Sequence, residues 1–437
     1  MDSLPFTDIK LMRYFMIKRK NLCYLILLQM VIISCAGKPD RQQQISEELM
    51  QVFHDYELMG MSVGLIVQGE LYYSGSFGYA NVLPGDTMTP NTYLRIASIS
   101  KLYTSLAVMT LWEKGLVDLD TAASAYLGWD LRHPVFPDQP ITLRHLLDHR
   151  SGIRDGSGYG AFLRSMIEQK AHIRTLFMQD STYYTKDMFA VEPPGTYFSY
   201  TNCTWGLIAS IVEQVSGERF DVYCRKNLFK PMGIGSSFNV MDLAPEDIAP
   251  LYRYQDGLWV AQVDDFTAGE APKERAYPNY TPGDNGLIYG PQGSLRSSLH
   301  DLWITGKMLL NGGQVNGQQI IKAATLAYFQ EDKWVYDGQN GDTWEGFWHS
   351  YTKGMQFIEN RENGDIIFPD RTMWGHPGIA YGLLSDFYID PKTNSGVIFM
   401  TNGSVQAYEY ATGSSFYQVE DAVFKVLYPH LKALEAQ

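Results

Sequence analysis

The sequence predicts an α+β fold in which one sheet is assembled from segments near both ends of the chain and a helical region is inserted between them. Three observations predict it. Alternating, strand-like stretches lie at residues 62–67 and 71–77 and return at 382–389 and 397–401. Helical periodicity dominates the chain between them. No internal repeat and no low-complexity linker divides the 437 residues, so nothing marks a βαβ array or a solenoid.

The first elements read as an address. Lys18-Arg19-Lys20 precedes the apolar runs 22–28 and 30–35, a basic head and a short hydrophobic stretch of the kind that directs secretion. The run is too short for a confident membrane span. Ile32-Ile33-Ser34-Cys35 resembles a bacterial lipobox, which makes Cys35 the lipidated first residue of the mature chain, and a plain cleaved signal is the alternative. Met12 and Met16 are candidate start sites because the basic head lies so deep. Residues 1–34 are therefore read as a lipoprotein signal, 35–48 as a polar tether off the membrane, and 49–437 as the folded domain.

Further along, residues 45–56 carry a helical pattern. The two N-terminal strand patterns alternate around Gln68-Gly69, the signature of a hairpin. Between Ser98 and Lys114 the apolar residues Leu102, Leu106, Met109 and Trp112 recur at helical spacing, and Gly115 stops the run. A second helix is expected over 201–215, closed by Gly217. A third is expected over 298–310, where Ser298 and Asp301 stand in capping-box spacing. Residues 416–434 make a final helix.

Composition excludes several classes. With 45% hydrophobic and 19% charged residues the chain is too apolar to be disordered. A net charge of −13, falling to −16 once residues 1–34 are removed, argues against a nucleic-acid partner, which needs a surplus of cations. Four cysteines rule out a disulfide scaffold; Cys203 and Cys224 are either paired or two buried thiols.

The chemistry begins at Ser98-Ile99-Ser100-Lys101, a Ser and a Lys one helical turn apart on one face. A serine hydroxyl becomes a nucleophile when a neighbouring base takes its proton, and a desolvated Lys serves that purpose. Ser350-Tyr351-Thr352-Lys353 repeats the spacing without a helical pattern and reads as a coincidence of surface residues. A second element, Tyr200-Thr201-Asn202, follows turn chemistry and precedes a helix. A phenol acts as base only beside cations, and an Asn binds a substrate amide. Tyr79-Ala80-Asn81 and Tyr277-Pro278-Asn279 share that spacing. The third element, Trp374-Gly375-His376-Pro377-Gly378, reads on its own as a turn into a strand.

In this order the three elements resemble the serine β-lactamase and penicillin-binding protein family, in its class C-like and esterase-like branch. The supporting stretches are 94–98, 114–120, 141–152 and 291–297, so that the resemblance spans about residues 49 to 430. It implies an antiparallel sheet flanked by N- and C-terminal helices with an inserted all-helical region. It also implies Ser98 as nucleophile, Lys101 and Tyr200 jointly as base, Asn202 as substrate amide ligand, and His376-Pro377-Gly378 on an edge strand. The backbone N–H groups of Ser98 and Ile379 would form the oxyanion hole.

One departure matters. Where many members have Lys-Thr-Gly, this chain has His-Pro-Gly, and a mostly neutral His suits uncharged esters or amides better than anionic β-lactams. His145 and His149 stand four apart, but Leu146 replaces the Glu a zinc protease needs, so no metal is expected. No Gly-x-Ser-x-Gly elbow is present. The expectation is a secreted serine hydrolase acting through an acyl-enzyme on an ester, amide or D-amino-acid peptide. It needs no cofactor, and peptidoglycan-derived peptides are among its candidate substrates. The alternative is a catalytically weak relative that uses the pocket for binding or sensing.

Overall fold

The structure, a computed structural model, describes residues 40–82, 85–166, 171–262, 279–360, 365–406 and 408–436. The signal segment and Cys35 lie outside these residues.

Nine antiparallel strands form the main sheet. Their ranges are β1 Gly60–Val67, β2 Glu70–Asn81, β3 Asp86–Thr87, β4 Trp334–Val335, β5 Ser350–Thr352, β6 Met355–Ile358, β7 Met373–Ala380, β8 Leu383–Asp390 and β9 Ser395–Thr401. Their spatial order is β4-β5-β6-β7-β8-β9-β1-β2-β3. The N-terminal hairpin thus docks onto the C-terminal strands through β1 and β9, with Met61 opposite Thr401 and Ile66 opposite Gly396. The β1–β2 turn needs positive φ at both Gln68 (53°) and Gly69 (81°), which is why a glycine stands there.

The five longest described helices are α1 Arg41–Asp55, α2 Ser100–Glu113, α3 Cys203–Ser216, α4 Leu299–Leu310 and α5 Gln418–Glu435. Helix α1 starts inside the segment expected to be tether, because Leu49 and Val52 recur at helical spacing and are buried. Residues 46–437 form one compact unit. Helices α4 and α5 cover opposite faces of the sheet. Gly306 of α4 lies over Phe387, Glu420 of α5 faces Asp386, and consecutive strand residues point to opposite sides. The insert is mainly helical, with short two-stranded pieces such as Leu251–Gln255 against Leu258–Gln262.

Helix α2 departs from the amphipathic pattern read in the sequence. Every residue from Ser100 to Leu111 is buried, including Ser100, Lys101, Thr104 and Ser105, so it runs through the core rather than lying on it. Helix α4 starts as its sequence implies only in part. Ser298 Oγ accepts the Asp301 N–H at 3.1 Å, but the Asp301 carboxylate turns to the Ser236 hydroxyl at 2.8 Å instead of back to the cap. The third motif is not a turn: Trp374 to Gly378 lie within β7. Cys203 and Cys224 are two separate buried thiols. Among the described residues no helix is long and apolar enough to cross a membrane.

Candidate active site

Ser98 sits in a single 3₁₀ turn, Ala97–Ile99, that leads directly into α2, and Ala97 holds a positive φ of 46°. This strained corner presents the partly exposed Ser98 hydroxyl at the helix entrance. One turn later Lys101 is fully buried. Its Nζ donates to Ser98 Oγ at 3.0 Å, Asn202 Oδ1 at 2.9 Å and the Gln292 carbonyl at 2.9 Å. Three acceptors satisfy three ammonium donors. Burial nevertheless pulls the Lys101 pKa down to about 7, with Asp155 opposing the shift.

Tyr200 reaches the same hydroxyl, with its phenol hydrogen-bonded to Ser98. Its ring lies 4.8 Å from the Lys101 ammonium, stacks on Trp348 with centroids 4.6 Å apart, and leans on His149 at 4.5 Å. That packing desolvates the phenol and pushes its pKa up, so the ring-rich wall keeps Tyr200 protonated.

Asn202 is not an open ligand. Its Oδ1 takes Lys101, while its Nδ2 donates to Asp155 Oδ2 at 2.9 Å. The Asp155 carboxylate also accepts the backbone N–H groups of Asn202 (2.8 Å) and Cys203 (2.8 Å), closing the start of α3. Sequence reasoning missed Asp155. It stands three residues beyond the 141–152 stretch, and only the fold shows that it caps a helix fifty residues away.

His376, on β7, is fully buried. Its Nδ1 lies 2.6 Å from the Pro377 carbonyl, which can only accept, so Nδ1 carries the proton and Nε2 is left as an acceptor with no donor among the described residues. Burial and the nearby Lys101 pull its pKa down to about 3. The ring is therefore neutral at pH 7 for a stronger reason than its ordinary pKa.

Gly378 is where β7 and the nucleophile turn meet. A Cβ there would run into the Ile96 carbonyl and the Ser385 hydroxyl, so only glycine allows this approach. The edge-strand expectation holds for half of β7. Trp374 and Gly375 are paired on both sides, whereas from His376 onward the strand pairs only with β8. Ile379 lies on that free half and is partly exposed.

The second Ser-x-x-Lys copy is not at the surface. Ser350 and Lys353 are both buried, but Ser350 is in β5 and Lys353 in the turn after it. Lys353 Nζ donates to the Glu331 carbonyl at 2.7 Å and to Thr352, and Ser350 Oγ has no hydrogen-bond partner among the described residues. The two histidines do not converge either. His145 Nδ1 accepts the Thr142 N–H, while His149 accepts the Thr201 N–H at 3.0 Å and meets Tyr351 through Nε2.

Comparison with known proteins bears on the family and the fold. A family model described as Beta-lactamase matches residues 43–414. Penicillin-binding protein 4* of Bacillus subtilis is 30% identical over 175 residues, 39% of this chain and 35% of that protein. Among the first curated relatives the chain spans 35% to 59% of the relative's length. An octameric penicillin-binding protein homologue from Pyrococcus abyssi superposes with a TM-score of 0.65 at 25% identity, covering 89% of this chain and 77% of that one. The D-amino acid amidase of Ochrobactrum anthropi shares the fold at a TM-score of 0.59 and 18% identity, over 91% of this chain and 99% of that one.

Proposed function

The chain belongs to the Beta-lactamase family, and from that premise we propose that it is a serine hydrolase that forms an acyl-enzyme on Ser98. The observation that supports this most directly is a buried amine with a pKa of about 7 hydrogen-bonded to a partly exposed serine hydroxyl. An ordinary lysine is almost wholly protonated at neutral pH and takes no proton. Here a large fraction of Lys101 is free amine, matched to the working pH of a general base.

In the proposed cycle Ser98 Oγ attacks the substrate carbonyl and its proton passes to Lys101 Nζ. The backbone N–H groups of Ser98 and Ile379 hold the oxyanion at the free half of β7. The tetrahedral intermediate then collapses. The protonated Tyr200 phenol, next to both groups, donates to the leaving oxygen or nitrogen and regains its proton from Lys101. Water repeats the sequence on the acyl-enzyme. Asn202 positions Lys101, and the neutral Nε2 of His376 offers an acceptor to a substrate N–H. No fixed cation stands at the third motif, which favours esters, amides and D-amino-acid peptides over anionic β-lactams.

The test is labelling with a fluorophosphonate. The wild type should react and Ser98→Ala should not, while Lys101→Ala and Tyr200→Phe each lose most of the rate. Equal labelling of Ser98→Ala would overturn the reading. We further propose that the protein is exported and anchored through Cys35, on the strength of Ile32-Ile33-Ser34-Cys35. Globomycin should then block processing, and Cys35→Ala should move the protein from the membrane to the soluble fraction.

A further inference from the structure

We propose that a pocket beside Pro377 and Ile379 is a subsite for an organic ammonium group on the non-reacting part of the substrate. The proposal rests on the hydrolase reading for the word substrate, but not for the site itself.

The pocket is walled by Trp344 and Phe347 from the loop before β5, by Pro377 and Ile379 of β7, and by Tyr410 and Tyr417 ahead of α5. Glu420 of α5 also lines it, and among the described residues no Lys, Arg or His does. Pro377 is the register partner of Asp386, so the two side chains project from the same face of the sheet. Asp386 is fully buried, and among the described residues no donor other than the facing Glu420 carboxyl reaches either of its oxygens. Capping explains part of Glu420, whose Oε2 accepts the Tyr417 N–H at 2.7 Å. It explains nothing of Asp386. A buried acid without a donor costs stability that an apolar residue there would not. Rings present their negative faces to a cation, and the Glu420 carboxyl that lines the pocket supplies the charge once a cation displaces its proton.

A chain of stacked rings joins the wall of the pocket to the catalytic cluster. Trp348 stacks on Tyr200, and Trp344 stacks in turn on Trp348 with centroids 6.5 Å apart. Strand β7 carries His376 and Gly378 towards Ser98 and turns Pro377 and Ile379 to the pocket, with its free edge between. A substrate whose carbonyl meets Ser98 therefore crosses that edge and leaves its distal group among the rings.

The titratable groups facing the pair are phenols: Tyr388 from β8, and Tyr408 and Tyr417 ahead of α5. Arg253 lowers Tyr408 but acts on neither carboxyl. Burial raises Glu420 to about 8, so a bound cation must displace a proton, and affinity rises with pH towards that value.

Two experiments test this. Ser98→Ala is titrated calorimetrically with tetramethylammonium and benzyltrimethylammonium at pH 7 and 8.5. Binding is expected, tighter at pH 8.5, and lost on adding Glu420→Gln or the half-exposed Trp344→Ala, with folding checked by thermal melts. Separately, kcat/KM is compared for butyrylthiocholine and its uncharged 3,3-dimethylbutyl isostere. Wild type should favour the cation roughly tenfold, the scale of a partly desolvated cation–π contact, and either substitution should bring the ratio near one. Absence of binding, or binding and selectivity untouched by both substitutions, overturns the subsite. Ammonium binding without turnover of either thioester would retain the subsite and count against the hydrolase reading. Fluorophosphonate labelling without ammonium binding would do the reverse.

Discussion

At the scale of single residues, the pairing of Ser98 with Lys101 follows from spacing alone, because a helix brings side chains three apart together. What spacing could not convey is why Lys101 is basic enough to be useful: its depressed pKa comes from burial by segments far away in sequence, with Gln292 closing its third hydrogen bond. The consequence is a pH dependence. Since Lys101 must be neutral to accept the Ser98 proton, kcat/KM should fall about tenfold per pH unit below about 7 and level off above it. An acidic limb centred near 4 or near 10 in a rate profile would remove Lys101 from the base role. Asp155 carries a second prediction. It caps α3 and fixes the amide of Asn202, so Asp155→Ala should cost about 1 kcal/mol of stability, as lost caps do. It should also slow acylation roughly tenfold by loosening the Lys101 contact. Asp155→Asn, which keeps an acceptor, should recover part of both, as read by melts and labelling rates.

At the scale of elements, the hairpin around Gln68-Gly69 and the helices α3, α4 and α5 were legible because period and punctuation agree there. Strands β4 to β6 were not, being two to four residues long and set among aromatics that fit either period. Taken alone, the third motif reads as a turn because Gly375, Pro377 and Gly378 are turn residues, and only the family resemblance puts it on an edge strand. They serve a strand here because its free half lacks a partner on one side and must pass close to another backbone. Gly378→Ala should therefore push β7 away from Ile96, destabilise the protein by about 1–3 kcal/mol, and depress labelling of Ser98 by more than its stability loss explains. Were the Ala variant to label at the wild-type rate, the close approach would have no catalytic meaning. Lys353→Ala provides the contrast. Its ammonium is buried against the Glu331 carbonyl, so that variant should melt earlier yet label normally while still folded.

At the scale of the whole molecule, the sheet built from both chain ends with a largely helical insert was predicted by the order of patterns along the sequence. Nothing in that order revealed that the seam between sheet and C-terminal helix holds two acids. Asp386 alternates as an inward strand residue and Glu420 reads as an ordinary first-turn cap, and only the packing of α5 on β8 sets one against the other. Burial raises both pKa values, Glu420 to about 8 and Asp386 well above the usual carboxylate range. A group whose pKa is higher folded than unfolded binds its proton more tightly in the native state. Its contribution to stability is complete below the unfolded carboxylate pKa of about 4–4.5 and is lost as pH rises through the folded value, here towards 8. The family of melting curves should therefore decline between pH 5 and pH 9, opposite in sign to what an ion-paired carboxylate would produce. Glu420→Gln keeps the shape and the cap acceptor but removes the titration, so it should match wild type near pH 5 and exceed its Tm at pH 8.5. If instead the variant is less stable than wild type at both pH values by the same amount, the pair carries a charge at neutral pH in the folded protein, and this account of the seam is wrong.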